Sequence, residues 1–171
     1  MNGTMAIYSL QYSFRQPLAA SAKAAYAWCT DFEPNDGKLF PVKWERSVRW
    51  LSKDALILTD TTFPDGRARR IHRLVRLNPS EKAWTNTHID GPFRHSQYWY
   101  RIVPDSAQSC HLEFRGFRLV ASPRPLSESA IARMAAAERR SDSGLWRRSM
   151  APTLKRDLSR RARSSRKPRK R

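Results

Sequence analysis

Residues 85–103, TNTHIDGPFRHSQYWYRIV, crowd two histidines, an aspartate and four aromatics around a Gly-Pro turn. A hairpin there would bring His88 and His95 face to face. A desolvated histidine beside another is suited to proton transfer near neutral pH, with Asp60 or Asp90 to orient it. The candidate catalytic groups are therefore His88, His95 and Asp60, in cyclase-, dehydratase- or hydrolase-type chemistry. No nucleophile-plus-base signature accompanies them. The same three side chains have the types of a His₂-carboxylate site, but lone facing histidines more often satisfy each other through water, and no metal is expected. Gly91 lies in no glycine-rich phosphate loop and no dinucleotide fingerprint appears, so no cofactor is expected.

Positioning such groups requires a sheet. Residues 7–15 alternate Tyr8, Leu10, Tyr12 and Phe14 on one face, which predicts a strand that Pro17 interrupts. Residues 21–32 carry Ala-rich helical character, and EPNDGKLFP adds at most a short turn. Strands follow at 42–51, 55–63, 67–77, 82–90, 94–103 and 110–120. The breaks between them hold Gly, Pro, Asn, Asp and Ser, as tight turns require. Loops this short join sequential antiparallel strands into a meander. Residues 127–140 then predict a helix, and Asp142 is placed to cap a second, kinked at Pro152.

Hairpin arithmetic gives a register. Around Asp65-Gly66, Leu56 faces Val75, Leu58 faces Arg73 and Asp60 faces Ile71. Around Gly91-Pro92, His88 faces His95, Asn86 faces Gln97 and Trp84 faces Trp99. A six-residue loop after Val103 sets Trp99 beside Phe114 and Arg101 beside Leu112, and a four-residue loop at 78–81 sets Val75 beside Trp84. One face then collects Leu56, Leu58, Ile71, Val75, Trp84, Trp99, Leu112 and Phe114. The other collects His72, Thr85, Thr87, Ser96, Tyr98, Tyr100, Glu113 and Arg115. The apolar face should lie under the C-terminal helix. The expected ligand-binding residues are Asp60, Arg73, Trp84, Asn86, His88, His95, Gln97, Trp99 and Phe114: a polar band to orient a head group, and aromatics to hold an apolar body.

The stretches FRQPLAASAKAAYAWCTDF, ILTDTTF, LVRLNPSEKAWTNTHIDGP, RHSQYWYRIV and GLWRRSMAPTLKRDLSRR, in this order, resemble START-like helix-grip proteins of the SRPBCC superfamily. That group includes polyketide cyclases and lipid-transfer domains, and the likeness is to its small stand-alone members, over residues 5–160. It implies an α+β fold: a seven-stranded curved antiparallel sheet wrapped around a long C-terminal helix, with two short helices between strands 1 and 2. It also implies a cavity between sheet and helix for a small hydrophobic or amphipathic molecule, such as a lipid or an aromatic or polyketide-like metabolite. Ligand binding is expected over catalysis, since fold alone assigns no reaction.

The resemblance does not account for the basic end. The net charge is +18, and residues 147–171 hold 12 of the 33 Lys/Arg against the single acid Asp157. Residues 1–160 are expected to form the folded domain and 161–171 a disordered basic tail. Lys155, Arg156, Arg160, Arg161, Arg163, Arg166, Lys167, Arg169, Lys170 and Arg171 are the candidate contacts to nucleic acid or another polyanion. Cys29 and Cys110 are too few for a disulfide framework. No stretch is apolar enough to span a bilayer, and MNGTMAIYSL does not read as a signal peptide. A cytoplasmic protein with reduced thiols is expected.

Overall fold

The computed structural model describes residues 5–32 and 44–165. Seven strands form one antiparallel sheet in the order β1-β7-β6-β5-β4-β3-β2. They are β1 (Ala6–Leu18), β2 (Trp44–Ser52), β3 (Ala55–Thr62), β4 (Arg69–Asn78), β5 (Ala83–His88), β6 (Gln97–Pro104) and β7 (Cys110–Ser122). Helix α1 (Ala22–Cys29) follows β1, and Ser21 caps it by accepting the Ala24 N–H. The second short helix expected before β2 falls in residues 33–43, outside the described residues.

Pro17 does not end β1. The strand runs on to Leu18 with Pro17 opposite His111. Because β1 is an edge strand, proline's missing N–H can fall on the unpaired side, where no ladder bond is lost.

The C-terminal segment is α2 (Glu128–Leu145), a π turn over Trp146–Met150 and α3 (Ala151–Ser165). Asp142 lies within α2 and caps nothing. Ser127 is the N-cap, accepting the Ala130 N–H. The π turn ends just ahead of Pro152, where a straight α-helix would drive the proline ring into the Arg148 carbonyl. The helix accommodates Pro152 by widening, and α3 carries regular structure past residue 160 to Ser165.

The core lies between the concave sheet face and these helices. Leu10, Phe14, Leu56, Leu58, Val75, Trp84, Ile102, Leu112 and Phe114 point inward, against Trp28 of α1 and Trp146 and Leu154 of the C-terminal segment. The Trp28 indole N–H donates to Asp157 at 3.2 Å and ties α1 to α3.

The register around Asp65-Gly66 is as expected: Leu56 opposite Val75, Leu58 opposite Arg73, Asp60 opposite Ile71. Between β4 and β5 the offset differs by two residues, with Val75 opposite Asn86 and Arg73 opposite His88, so each side chain keeps its face. At Gly91 the offset differs by one. Trp84 pairs with Tyr100, Asn86 with Tyr98 and Thr87 with Gln97. The cause is a bulge. His88 N–H donates to the Ser96 carbonyl while His95 N–H donates to the His88 carbonyl, and His95 adopts a φ of +67°.

The extra residue turns β6 over. Tyr98 and Tyr100 face the helices, whereas Gln97, Trp99 and Arg101 face outward. Ser96, expected outside, is fully buried at the corner, its hydroxyl accepting the Leu119 N–H. The connection to β7 is one residue shorter than expected, Asp105 to Ser109, so a second one-residue offset cancels the first. Phe114 and Leu112 stay inside, opposite Tyr100 and Ile102.

Candidate functional site

Inward side chains of the sheet and the α2 side that faces them line an open cavity of about 420 Å³. A smaller lobe of about 170 Å³ adjoins it, sharing Trp44, Arg46, Arg73, Asn86, Tyr100 and Trp146 as common wall. The small lobe is largely apolar, lined by Trp28, Phe32, Leu58, Trp84 and Met150. Trp84 and Tyr100, cross-strand neighbours, stack with centroids 4.7 Å apart and planes parallel within 1°.

The large lobe holds most of the charged side chains. Asp60, 6% exposed, sits at the inward end of β3 between two arginines. Arg46 of β2 reaches its carboxylate from the paired position at 2.9 Å and 3.3 Å, and Arg73 of β4 binds it from the diagonal position. Asp60 is thus shared between two guanidinium groups. Burial, with Arg46 alongside, lowers the Arg73 guanidinium to about 10.

Asn86 and His88 alternate inward along β5, at 7% and 8% exposed, and neither Asn86 Oδ1 nor His88 Nδ1 has a hydrogen-bond partner. Arg73 Nε and Arg118 Nε also lack one. Burial, then Arg73 and Arg118, depress the His88 imidazole to about 4, so it is neutral at physiological pH. Its ring meets the edges of Tyr98 and Phe93 at 5.4 Å and 5.8 Å. Arg118 lies over Phe93 at 3.9 Å and pairs with Glu138 of α2. One helical turn on, Asp142 accepts the Tyr12 hydroxyl at 2.7 Å, and burial raises its carboxyl above the usual range, with Glu138 adding to the effect. The Tyr12 ring needs Gly116 opposite it: a Cβ there would stand 2.6 Å from the ring. Tyr98 is raised to about 12, chiefly by burial.

Of the residues singled out from sequence, Asp60, Arg73, Asn86, His88 and Phe114 line the large lobe and Trp84 the small one. Gln97 and Trp99 do not reach either; the bulge places them on the outer face. His95 is exposed at the corner, so the facing histidine pair does not form, and neither the acid–base pair nor the His₂-carboxylate set built on it has its geometry. Asp90 orients a different histidine: it accepts the His72 backbone N–H at 2.8 Å and contacts His72 Nδ1 at 2.5 Å on the outer face. Sequence reasoning missed Arg46, Tyr98, Tyr100, Arg118, Asp142 and Trp146. Extending the alternation of Leu112 and Phe114 two and four residues onward would have found Gly116 and Arg118.

No family model matches the sequence, and no curated protein matches it significantly. Solved structures do match. The Zhui aromatase/cyclase from Streptomyces sp. R1128 superposes with a TM-score of 0.67 at 14% identity, covering 94% of this chain and 100% of that one. A norcoclaurine synthase point mutant from Thalictrum flavum, in complex with a transition-state analogue, gives 0.64 at 11% identity over 90% and 98%. A START superfamily protein from Mycobacterium smegmatis gives 0.56 at 17% over 84% and 98%. The chain has the START-like helix-grip fold. No helix among the described residues is long and apolar enough to cross a membrane.

Proposed function

We propose that the protein binds a small amphipathic molecule in the two-lobed cavity, its aromatic or aliphatic body in the Trp84–Tyr100–Trp146 lobe and its polar head at Asp60, Arg73, Asn86 and His88. The observation that carries this reading is the set of enclosed polar atoms without partners, on Asn86, His88 and Arg73, in the wall of a cavity with room for a ligand. Unpaired buried polar groups cost free energy that a bound head group would recover. Arg73 Nε, a charged donor without a partner, favours a head that is anionic or rich in acceptors, such as a carboxylate or phenolate. Fold likeness to an aromatase/cyclase and to norcoclaurine synthase is consistent with an aromatic ligand, and it assigns no reaction.

The test is thermal denaturation against a panel of aromatic carboxylates, phenols and fatty acids. At least one class should raise Tm. Asn86→Leu and Tyr100→Ala should abolish the rise, while Gln97→Ala on the outer face should leave it intact. A rise that survives both inner-face substitutions removes the ligand from this cavity.

A further inference from the structure

Helix α2 separates its charges by face. Glu138 and Asp142, one turn apart, reach into the cavity toward Arg118 and Tyr12. Arg139, Ser143 and Arg147, again at four-residue spacing, turn instead toward the edge strand β1. With Arg140 they and residues Phe14–Pro17 line a surface groove of about 490 Å³ in which no carboxylate takes part. Arg139, Arg140 and Arg147 are all exposed. Arg15, on the rim of this groove, is 73% exposed and leads over the sheet edge.

On the outer face beyond it, Ser13 stands opposite Arg115, and Arg115 opposite Trp99. The Arg115 guanidinium lies over the Trp99 ring at 5.2 Å. A second hollow, about 220 Å³, is lined there by Trp99, Arg115, Phe117, Gln97, Gln11 and Thr85, once more without an acid. Phe117, 38% exposed, is the diagonal neighbour of Trp99. The nearby Glu113 is held by Arg15 at 2.9 Å.

A groove of arginines with a half-buried tryptophan and an exposed phenylalanine beyond it matches one polymer chemistry: phosphates at regular intervals bearing planar bases that are free to stack. A duplex would offer the phosphates and keep its bases stacked on one another. We propose that single-stranded nucleic acid binds along this track, its backbone in the Arg139–Arg147 groove and past the Arg15–Glu113 pair, its bases against Trp99 and Phe117. This surface lies outside the ligand cavity and stands independently of the function proposed for that cavity.

The experiment is fluorescence anisotropy of the full chain with a labelled oligothymidylate or oligouridylate of about 12 nucleotides, titrated at several salt concentrations. Each phosphate neutralised contributes about −0.7 to the slope of log affinity against log salt. Arg139→Gln/Arg147→Gln should weaken binding and flatten that slope by about 1.4. Trp99→Ala should weaken binding roughly fivefold or more and leave the slope unchanged, and Trp99→Phe should restore it, which separates stacking from misfolding. Replacing the six basic and proline residues 166–171 with glutamine lowers overall affinity but leaves both effects in place. The proposal is overturned if the groove and Trp99 variants bind like wild type, or if the terminal substitutions alone abolish binding. Duplex bound as tightly as single strand with Trp99→Ala silent also overturns it, as does retention by phosphatidylserine vesicles with no binding to either oligonucleotide.

Discussion

The two lobes of the cavity are built from one sheet face and share much of a wall, yet they are stabilised in opposite ways. In the small lobe, Leu58, Trp84, Tyr100 and Trp146 hold their places by packing and ring stacking. In the large lobe, two residues further along β3, Asp60 replaces Leu58, and the wall becomes a chain of charge pairs that leaves several buried atoms unmatched. Packing tolerates small errors, because each contact is weak and many share the load. A buried charge cluster does not, because removing one member strands the others. The lobes should therefore respond very differently to substitution and to pH.

The largest effect expected is at Asp60. Asp60→Ala removes the carboxylate that Arg46 and Arg73 share in a buried setting and should cost about 3–5 kcal/mol of stability in urea unfolding. Replacing all three at once, Asp60→Leu with Arg46→Met and Arg73→Met, should recover most of that loss, since well-packed apolar substitutes spare the desolvation cost. Failure of the triple variant to recover would mean that Asp60 acts through something other than charge pairing.

Acid comes next. The His88 imidazole protonates near 6.5 when unfolded but only near 4 in the folded protein. Between these values the unfolded chain binds the extra proton, so stability falls as pH falls, by about 3 kcal/mol across the window. Above pH 6.5 the contribution is fully present. His88→Gln should flatten the stability–pH profile through that window, whereas a substitution in the small lobe, such as Met150→Leu, should leave it parallel to wild type.

A subtler intrusion is Gly116→Ala. Its methyl group would meet the Tyr12 ring at 2.6 Å, forcing the ring aside and breaking the hydroxyl contact to Asp142. We expect a loss of about 2 kcal/mol, read by chemical denaturation, together with a disturbed large lobe and an intact small one. Smallest of all, Thr87→Ala on the outer face should change stability by no more than about 0.5 kcal/mol. A large effect there would place hidden structural weight on the outer surface.

The element order, the helix-grip architecture and the inward face of β3, β4, β5 and β7 were legible because apolar and polar residues alternate along them, and alternation declares which side is wet. Asp60 and Arg73 could be paired from register alone. Strand β6 was not legible. Tyr98, Trp99 and Tyr100 form an unbroken aromatic run, so hydrophobicity favours neither parity, and register had to come from the turn. That turn contains a bulge whose left-handed residue is His95, where glycine would have announced it. Arg46 and Arg118 carry no apolar signal to mark an inward position, and Asp142 was assigned to a helix cap; in the structure they point inward, toward Asp60, Glu138 and Tyr12.

The corner at His95 has a further consequence. Because β6 alone is turned over by one inserted residue, and the Asp105–Ser109 turn compensates for it, the identity of the rings lining the cavity is set by loop length as much as by which amino acids are present. Deleting one residue before Gln97 and adding one after Pro104 would turn this single strand over, exchanging a wall of Tyr98, Tyr100 and Ile102 for one that presents Trp99 and Arg101. Paired single-residue indels at the two ends of β6 are thus a route to a new binding chemistry that changes several lining positions at once.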